Sequence, residues 1–458
     1  MKKVIILGAG QVGGIVAANL VSEKTDITVV DLNSEKLQKL SERLDLRVVV
    51  GNAGHPAILQ EAGIEDCELL VAVTEKDEIN MLACQIASKV FSVPDRVARI
   101  RSNEYLKDTR LSVQEMFDIN HVICPEQIIT DYICKLVEYP EALQVLEFAN
   151  GALSMVSIKA LEGGFLVGQP ISNLNVHLKE TESRIVAIFR NNQSVVPDGD
   201  THIESGDEVF FLAKTQDMRN VMYEMRKMDR PIKQIMIAGG SDIGYRLAST
   251  LEADRKIKII EPSEVRAKYL ANNLKSALVI RGNETDKNLL NEERVEGVDL
   301  FIAASNNDER NIISSLLAKR LKVRKVIALI HESAYVDLLE ESNIDIVIGL
   351  AEATIGSVLS HIRQGDVTRD HSLRKGAAEA LEIIAHGNSS TSKCVGRKVQ
   401  DIDWPENTQL GAIIRNQEVL MAHHDTVIES EDHLIIFVAN KKMVPMVEKL
   451  LQVSKFHI

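Results

Sequence analysis

Long apolar runs are missing from this chain of 458 residues: no stretch of about 18 apolar residues occurs, so no transmembrane helix is expected. Positive charge is in deficit. The 53 Lys and Arg face 66 Asp and Glu, a formal net charge of −13. Phosphate affinity rests mainly on Lys and Arg, so the balance excludes a general nucleic-acid binder. It equally excludes a polybasic membrane-surface protein. Cysteine is scarce and odd in number: Cys67, Cys84, Cys124, Cys134 and Cys394, with no C-x-x-C pair. Free thiols used as small apolar residues in a reducing compartment are the expectation. No H-x-x-x-H or H-E-x-x-H spacing occurs, and His423 and His424 would point to opposite faces of a strand, so no metal site is expected. The opening Met1-Lys2-Lys3-Val4-Ile5-Ile6-Leu7-Gly8 has too short an apolar stretch for a signal peptide, and a glycine motif interrupts it.

What remains is an ordinary globular composition, 45% apolar and 26% charged, with a length that suits two to four domains. The chain reads as one sequence written twice, with a period of about 230 residues. Val4-Ile5-Ile6-Leu7-Gly8-Ala9-Gly10-Gln11-Val12-Gly13 lines up with Ile235-Met236-Ile237-Ala238-Gly239-Gly240-Ser241-Asp242-Ile243-Gly244. Further landmarks stay in register: Val48–Asn52 with Val279–Asn283, Leu70–Thr74 with Phe301–Ser305, and Asp77-Glu78-x-Asn80 with Asp308-Glu309-x-Asn311. A second unit is also repeated. Val186–Asn191 resembles Gly411–Asn416, and Thr201-His202-Ile203-Glu204-Ser205-Gly206-Asp207 resembles Thr426-Val427-Ile428-Glu429-Ser430-Glu431-Asp432. The order is A–B–A′–B′.

In unit A, short β-branched runs at 3–7, 26–30, 47–50, 69–73 and 96–100 alternate with helical spacing at Val12 to Leu20 and Ser34 to Leu44. That alternation predicts an α/β fold: a doubly wound, Rossmann-like parallel sheet with right-handed crossovers, present twice. Unit B has strands near 153–159, 185–190 and 207–213 separated by turn residues, which predicts a small α+β module. Apolar stripes on the intervening helices (Ile128, Ile129, Tyr132, Ile133, Leu136 and Val137; then Ile355, Val358, Leu359 and Ile362) either pack on their own domain or pair with another subunit.

The G-x-G-x-x-G of Gly8, Gly10 and Gly13 follows a strand, opens a helix and precedes an acid, Asp31, at the next strand's end. Gly8 permits the tight turn, Gly10 leaves room for a pyrophosphate, and Gly13 lets helix and strand pack closely. The helix N-terminus offers N–H groups to phosphates. Asp31 would accept the ribose hydroxyls of an adenosine and repel a 2′-phosphate, which favours NAD-type ligands over NADP-type ones and leaves ATP and ADP admissible. Thr74 and Glu75 follow the fourth strand, at the edge where such sheets bind ligands; a helix cap by Thr74 or Asp77 is the alternative. Arg99 and Arg101 share strand parity and would meet either a ligand phosphate or a protein carboxylate. His55 is expected to be a surface-loop residue.

The second copy departs from the first. Ser241 replaces the middle glycine, where its Cβ is expected to crowd a pyrophosphate, and Leu329 and His331 stand where Arg99 and Arg101 do. Glu261 retains the ribose carboxylate. A weaker, altered or absent ligand is expected there. A dehydrogenase would need an acid or base near a nicotinamide, and the B units offer no clustered carboxylates or cysteine–histidine pair. An NAD-dependent oxidoreductase with a duplicated Rossmann domain is therefore the lesser alternative.

The glycine motif, Val97-Ala98-Arg99-Ile100-Arg101-Ser102, Glu138-Tyr139-Pro140-x-Ala142-Leu143-Gln144-Val145, Ala385-His386-Gly387 and the A–B–A′–B′ layout resemble the TrkA family of Trk potassium-uptake regulators. The resemblance covers essentially the whole chain. It implies two RCK (regulator of potassium conductance) domains, each an N-terminal Rossmann-like half and a C-terminal module. The divisions it suggests are 1–125, a connecting helix at 126–141, 142–228, 232–350, a connecting segment at 351–376, and 377–458. It also implies NAD(H) and/or ATP/ADP as regulatory ligands without catalysis or metal. The partners implied are the membrane potassium channel subunit TrkH or a relative, and other copies in a homotetrameric ring. The place implied is the cytoplasm, at the inner face of the membrane. Carried over by match, the first site is Gly8, Ala9, Gly10, Gln11, Val12, Asp31, Thr74, Glu75 and Arg99. The second is Gly239, Gly240, Ser241, Asp242, Ile243 and Glu261.

Overall fold

The computed structural model describes residues 2–21, 25–107, 112–163, 167–173, 182–191, 193–195, 197–225, 230–339, 342–351, 367–373 and 378–452. The chain divides into two compact units, one of residues 1–131 with 234–362 and one of 132–233 with 363–458. Like thus joins like: both A copies fall in the first unit, both B copies in the second.

The first A copy runs β1 (Lys3–Leu7), α1 (Gln11–Val21), β2 (Asp26–Asp31), α2 (Ser34–Ser41), β3 (Arg47–Val50), α3 (Pro56–Glu61), β4 (Leu69–Ala72), α4 (Asp77–Lys89), β5 (Asp95–Arg99), α5 (Asn103–Lys107), α6 (Val113–Met116), β6 (His121–Ile123) and α7 (Pro125–Glu138). The strands form one parallel sheet in the order β3-β2-β1-β4-β5-β6. Helices cover both faces, so the central strands are apolar throughout; Ile6, Leu7, Leu69 and Val71 are fully buried. Asn33 starts α2 by accepting the amides of Glu35 and Lys36.

The stripe on α7 resolves in favour of packing within the chain: Ile129, Ile133 and Leu136 are wholly buried, and Ile128 lies against the core of the first sheet. The second stripe, at 355–362, lies outside the described residues. Cys67, Cys84, Cys124 and Cys394 are buried free thiols, and burial pushes Cys67 up to about 11 and Cys84 up to about 12.

The first B copy, with the helix that closes it, comprises β7 (Gln144–Phe148), β8 (Leu153–Lys159), β9 (Ser183–Arg190), β10 (Gln193–Val195), β11 (Glu208–Lys214) and α8 (Thr215–Met225). Its antiparallel sheet is ordered β10-β9-β11-β8-β7. The second A copy repeats the first: β12 (Gln234–Ala238), α9 (Asp242–Leu251), β13 (Lys256–Glu261), α10 (Glu264–Asn273), β14 (Leu278–Arg281), α11 (Lys287–Glu292), β15 (Leu300–Ala303), α12 (Asp308–Arg320), β16 (Lys325–Ile330), α13 (Ser333–Leu338) and β17 (Ile346–Gly349), with parallel order β14-β13-β12-β15-β16-β17. The second B copy has β18 (Val367–Leu373), β19 (Ala378–Ala385), β20 (Thr408–Arg415), β21 (Glu418–Met421), β22 (Asp432–Val438) and α14 (Val444–Leu451), ordered β18-β19-β22-β20-β21.

The B copies share even their irregularities. β9 skips a residue against β11 at Val186, and β20 skips one against β22 at Gly411, the position aligned with Val186. Within the second unit the two sheets share one core, with Phe189, Phe210 and Phe437 in mutual ring contact. Gly411 admits that contact, because a Cβ on it would lie 2.7 Å from Leu212 and 3.1 Å from Val186. The repeated Glu-Ser-x-Asp motif is a latch. Arg190 binds both oxygens of Asp207 at 2.9 and 2.8 Å, and Asp207 also accepts the amide of Glu204. Arg415, Asp432 and Glu429 repeat the arrangement with distances of 2.8, 2.8 and 2.7 Å.

Candidate functional site

Both glycine turns stand at the carboxyl ends of the parallel strands, where the order reverses between β1 and β4 and again between β12 and β15. Gly8 has φ +108°, and a Cβ on it would sit 2.9 Å from the Val73 carbonyl oxygen. Gly13 packs so tightly on the turn that a Cβ would fall 1.9 Å from the Gly8 oxygen. Around Gly10 nothing lies within 4 Å of the Cβ position. Glycine at 8 and 13 is thus explained by the chain itself. At Gly10 the fold makes no such demand, and the open space lies before the N-terminus of α1.

Asp31 ends β2 and turns its carboxylate onto the glycine turn. Oδ2 accepts the Ala9 amide at 2.6 Å and Oδ1 accepts the Asn33 amide at 2.7 Å. The acid therefore holds the turn in shape, with lone pairs left over for a ligand's hydroxyls. Glu261 does the same in the second copy, accepting from Gly240 at 2.8 Å and Ser263 at 2.7 Å.

Opposite each turn a buried asparagine clamps the loop after the fourth strand. Asn80 accepts from the Thr74 amide at 2.9 Å and the Thr74 hydroxyl at 2.7 Å, and it donates to the carbonyls of Thr74 and Arg99. Asn311 repeats every bond with Ser305 and Leu329. Helix capping by Thr74 or Asp77 is not found, because Lys76 holds the cap position of α4 with no side-chain bond. Asp77 instead accepts the amides of Arg101 and Ser102, each at 2.8 Å. The repeated D-E-x-N signal was visible in sequence; its role as the stitch between the fourth and fifth strands was not.

Of the arginines, Arg99 pairs with Glu126 at 2.9 Å, both largely buried. Arg101 follows β5, lies 3.6 Å from Asp77 and donates to the Glu75 carbonyl. The carboxylate-pair alternative therefore describes both. Glu75 is exposed and faces Lys36 at 3.8 Å. His55 is exposed at the start of α3. Gln11 reaches Glu332 at 3.0 Å, and the buried Arg246 of α9 donates to Gln127 at 2.8 Å and to the Arg101 carbonyl at 2.6 Å. The rims of the two sites are thus joined by direct polar contacts within the first unit.

In the second copy Ser241 carries a Cβ where the first copy has Gly10, and its hydroxyl is held by the backbone. It turns inward, donating to the Ala304 carbonyl at 2.5 Å and accepting the Gly244 amide at 3.2 Å as the cap of α9. A cavity of about 450 Å³ stays open beside it, lined among others by Gly240, Asp242, Glu261, Arg266, Glu284 and Arg310. Leu329 is buried in β16, so the guanidinium lost there is gone from that position. Arg266 and Arg310, which sequence reasoning passed over, bring cations from two other elements. Arg266 donates to the Gly240 carbonyl at 2.5 Å, pairs with Asp242 at 3.0 Å and lies over the Tyr269 ring. Their signal in sequence was uneven: Arg266 follows Glu261 by five residues as Lys36 follows Asp31, whereas Arg310 stands where the first copy has Ile79.

The TrkA-N domain pattern matches residues 4–125 and 235–350, and the TrkA-C domain pattern matches 155–224 and 389–452. The chain belongs to the TrkA family. It is 48% identical to the Trk system potassium uptake protein TrkA of Halomonas elongata over 452 residues, 99% of both chains. It is also 48% identical to that of Vibrio alginolyticus over 457 residues, covering each in full. Among solved structures, the GsuK RCK domain superposes with a TM-score of 0.62 at 14% identity, covering 98% of this chain and 95% of that one. The GsuK channel bound to NAD gives 0.61 at 14% identity, covering 98% and 79%. The duplicated sheets match TrkA-N and the B modules match TrkA-C, and the fold is that of the GsuK RCK domain. Among the described residues no helix is long and apolar enough to cross a membrane.

Proposed function

We propose that this chain is a nucleotide-sensing regulatory subunit of Trk potassium uptake. It binds NAD(H) and/or ATP/ADP at the two glycine turns and biases the gate of a membrane potassium channel subunit, TrkH or a relative, without chemistry on the nucleotide. It works as a homotetramer held at the inner face of the membrane by that partner. Gly8, Ala9, Gly10, Gln11, Val12, Asp31, Thr74 and Glu75 form the first site, and Gly239 to Ile243 with Glu261 the core of the second. Arg99 supports the first from its pair with Glu126.

The single observation that carries this reading is the repeated constellation: an open glycine turn, a carboxylate seated on its amide, and an asparagine clamp across the crevice, in the same geometry twice. The names of the relatives supply the potassium-uptake context, and a chain of the same fold is known bound to NAD. Gln11–Glu332 and Arg246–Gln127 offer a physical route by which one site can feel the other. A ligand shifts a gate only by its differential affinity for two conformations, and couplings of about 1–3 kcal/mol change open probability several-fold or more.

The test is potassium flux through the reconstituted membrane partner with this protein, titrated with ATP, ADP, NAD and NADH. Flux that ignores all four while binding occurs would remove the sensor role. Asp31→Asn should lower adenosine-ligand affinity roughly ten- to a hundred-fold, the loss of one charge-assisted bond to a ribose hydroxyl. Asparagine is chosen because alanine would also release the Ala9 amide. Unchanged affinity by calorimetry would reject Asp31 as a ligand. Light scattering gives the assembly, and a monomer at micromolar concentration would contradict the tetramer.

A further inference from the structure

Glu284 sits in the loop between β14 and α11. The repeat pairs Gly51-Asn52-Ala53 with Gly282-Asn283-Glu284, so a carboxylate stands here where an alanine methyl stands in the first copy. Ala53 belongs to the apolar core of the first sheet. Glu284 is 0% exposed, lines the second cavity, and neither of its carboxylate oxygens has a hydrogen-bond partner. Its nearest cation is Arg310, 3.8 Å from Oε1, beyond hydrogen-bond reach.

The loop does not need this side chain. In both copies the asparagine makes the turn: Asn52 accepts from the Gly54 amide at 2.9 Å, and Asn283 from the Thr285 amide at 3.1 Å. The first copy closes the same loop with alanine. A buried carboxylate with empty lone pairs is costly, and native chains fill such positions. Its missing partner is best sought in the cavity it faces. β13 and β14 pair with Glu261 opposite Arg281, so the loop after β14 brings Glu284 beside the ribose-facing Glu261. Burial raises the Glu284 pKa and Glu261 adds to the rise, while the residue's own backbone N–H and, less strongly, Arg310 oppose it. The cavity's charges are three acids, Asp242, Glu261 and Glu284, against two cations, Arg266 and Arg310, with Arg266 already engaged by Asp242. A polyphosphate would meet a net negative lining. A ligand with hydroxyl or amine donors and few phosphate charges would not be repelled to the same degree.

Resting on the reading of this cavity as a nucleotide site, we propose that Glu284 is its specificity-determining residue: it accepts hydrogen bonds from the adenosine end of the ligand and selects NAD or AMP over ATP. The first site, with Ala53, carries no such filter. The two sites of one chain then answer different nucleotides.

Amide hydrogen exchange on the full chain tests this site by site, because protection of 8–13 reports the first turn and protection of 239–244 the second. In the native protein, 239–244 should be half-protected at a lower concentration of NAD than of ATP. Glu284→Ala, which installs the residue type of the first copy, should raise the NAD concentration about tenfold or more and narrow the NAD-to-ATP difference. Glu284→Gln keeps an acceptor oxygen without the charge; it should hold NAD within a few-fold and admit ATP. Protection at 239–244 that neither substitution alters would overturn the role of Glu284, as would tighter ATP than NAD there in the native chain. No protection at 239–244 with any nucleotide would overturn the second site itself, whatever happens at 8–13.

Discussion

Gly13→Ala should destabilise the first unit by about 3 kcal/mol or more, at the upper end of the usual cost of overpacking. The added Cβ would lie 1.9 Å from the Gly8 carbonyl oxygen, and the obstacle is backbone that cannot rotate away. Relief requires moving α1 off β1, which opens the site as well. Gly10→Ala is the control. Its Cβ meets nothing within 4 Å, so stability should change by less than about 1 kcal/mol and can even rise as the unfolded chain loses freedom. Nucleotide affinity should nevertheless fall, because the methyl enters the space before the helix N-terminus. Thermal melting beside calorimetry separates the two effects. Equal destabilisation by both substitutions, or full affinity in Gly10→Ala, would refute this division of labour.

Asp432→Ala is expected to cost the second unit about 3 kcal/mol. Breaking a buried ion pair costs roughly 3–5 kcal/mol, and Arg415 keeps enough exposure to recover part of its hydration. The loss is more than one bond: Arg415 surrenders two contacts and the Glu429 amide loses its acceptor. Asp207→Ala should behave alike in the first B copy, since Arg190 and Glu204 repeat the latch. Urea denaturation measures both, and a change below about 1 kcal/mol in either would show that the latch is ornamental.

Much of this was legible in the chain because periodic signals are local. Short β-branched runs and glycine spacing place β1 to β5 within a residue or two, and the duplication doubles every inference. Strands such as β7 and β10 escaped notice: β7, Gln-Val-Leu-Glu-Phe, is broken by a glutamate and runs into Ala-Asn-Gly, and β10 has three residues, Gln-Ser-Val, of which only one is strongly β-forming. At Ser241 the sequence showed the added Cβ but not the rotamer of the hydroxyl. Two backbone partners, Ala304 and Gly244, turn the hydroxyl away.

By itself the sequence determined the two doubly wound sheets, the two β-rich modules, the glycine turns and the acids that end the second strands, all set by patterns within about thirty residues. Only the tertiary structure decided which charges meet. Arg99 could have faced a phosphate or a carboxylate, and the strand alternation is the same in either case; the fold brought Glu126 to it. Arg266 and Arg310 became cavity cations, and Glu284 a buried acid without a hydrogen-bond partner, because three separate βα connections converge at one sheet edge. Periodicity tells a residue which face of its own element it occupies. What stands across from that face depends on elements far away in the chain, and no local pattern carries that information.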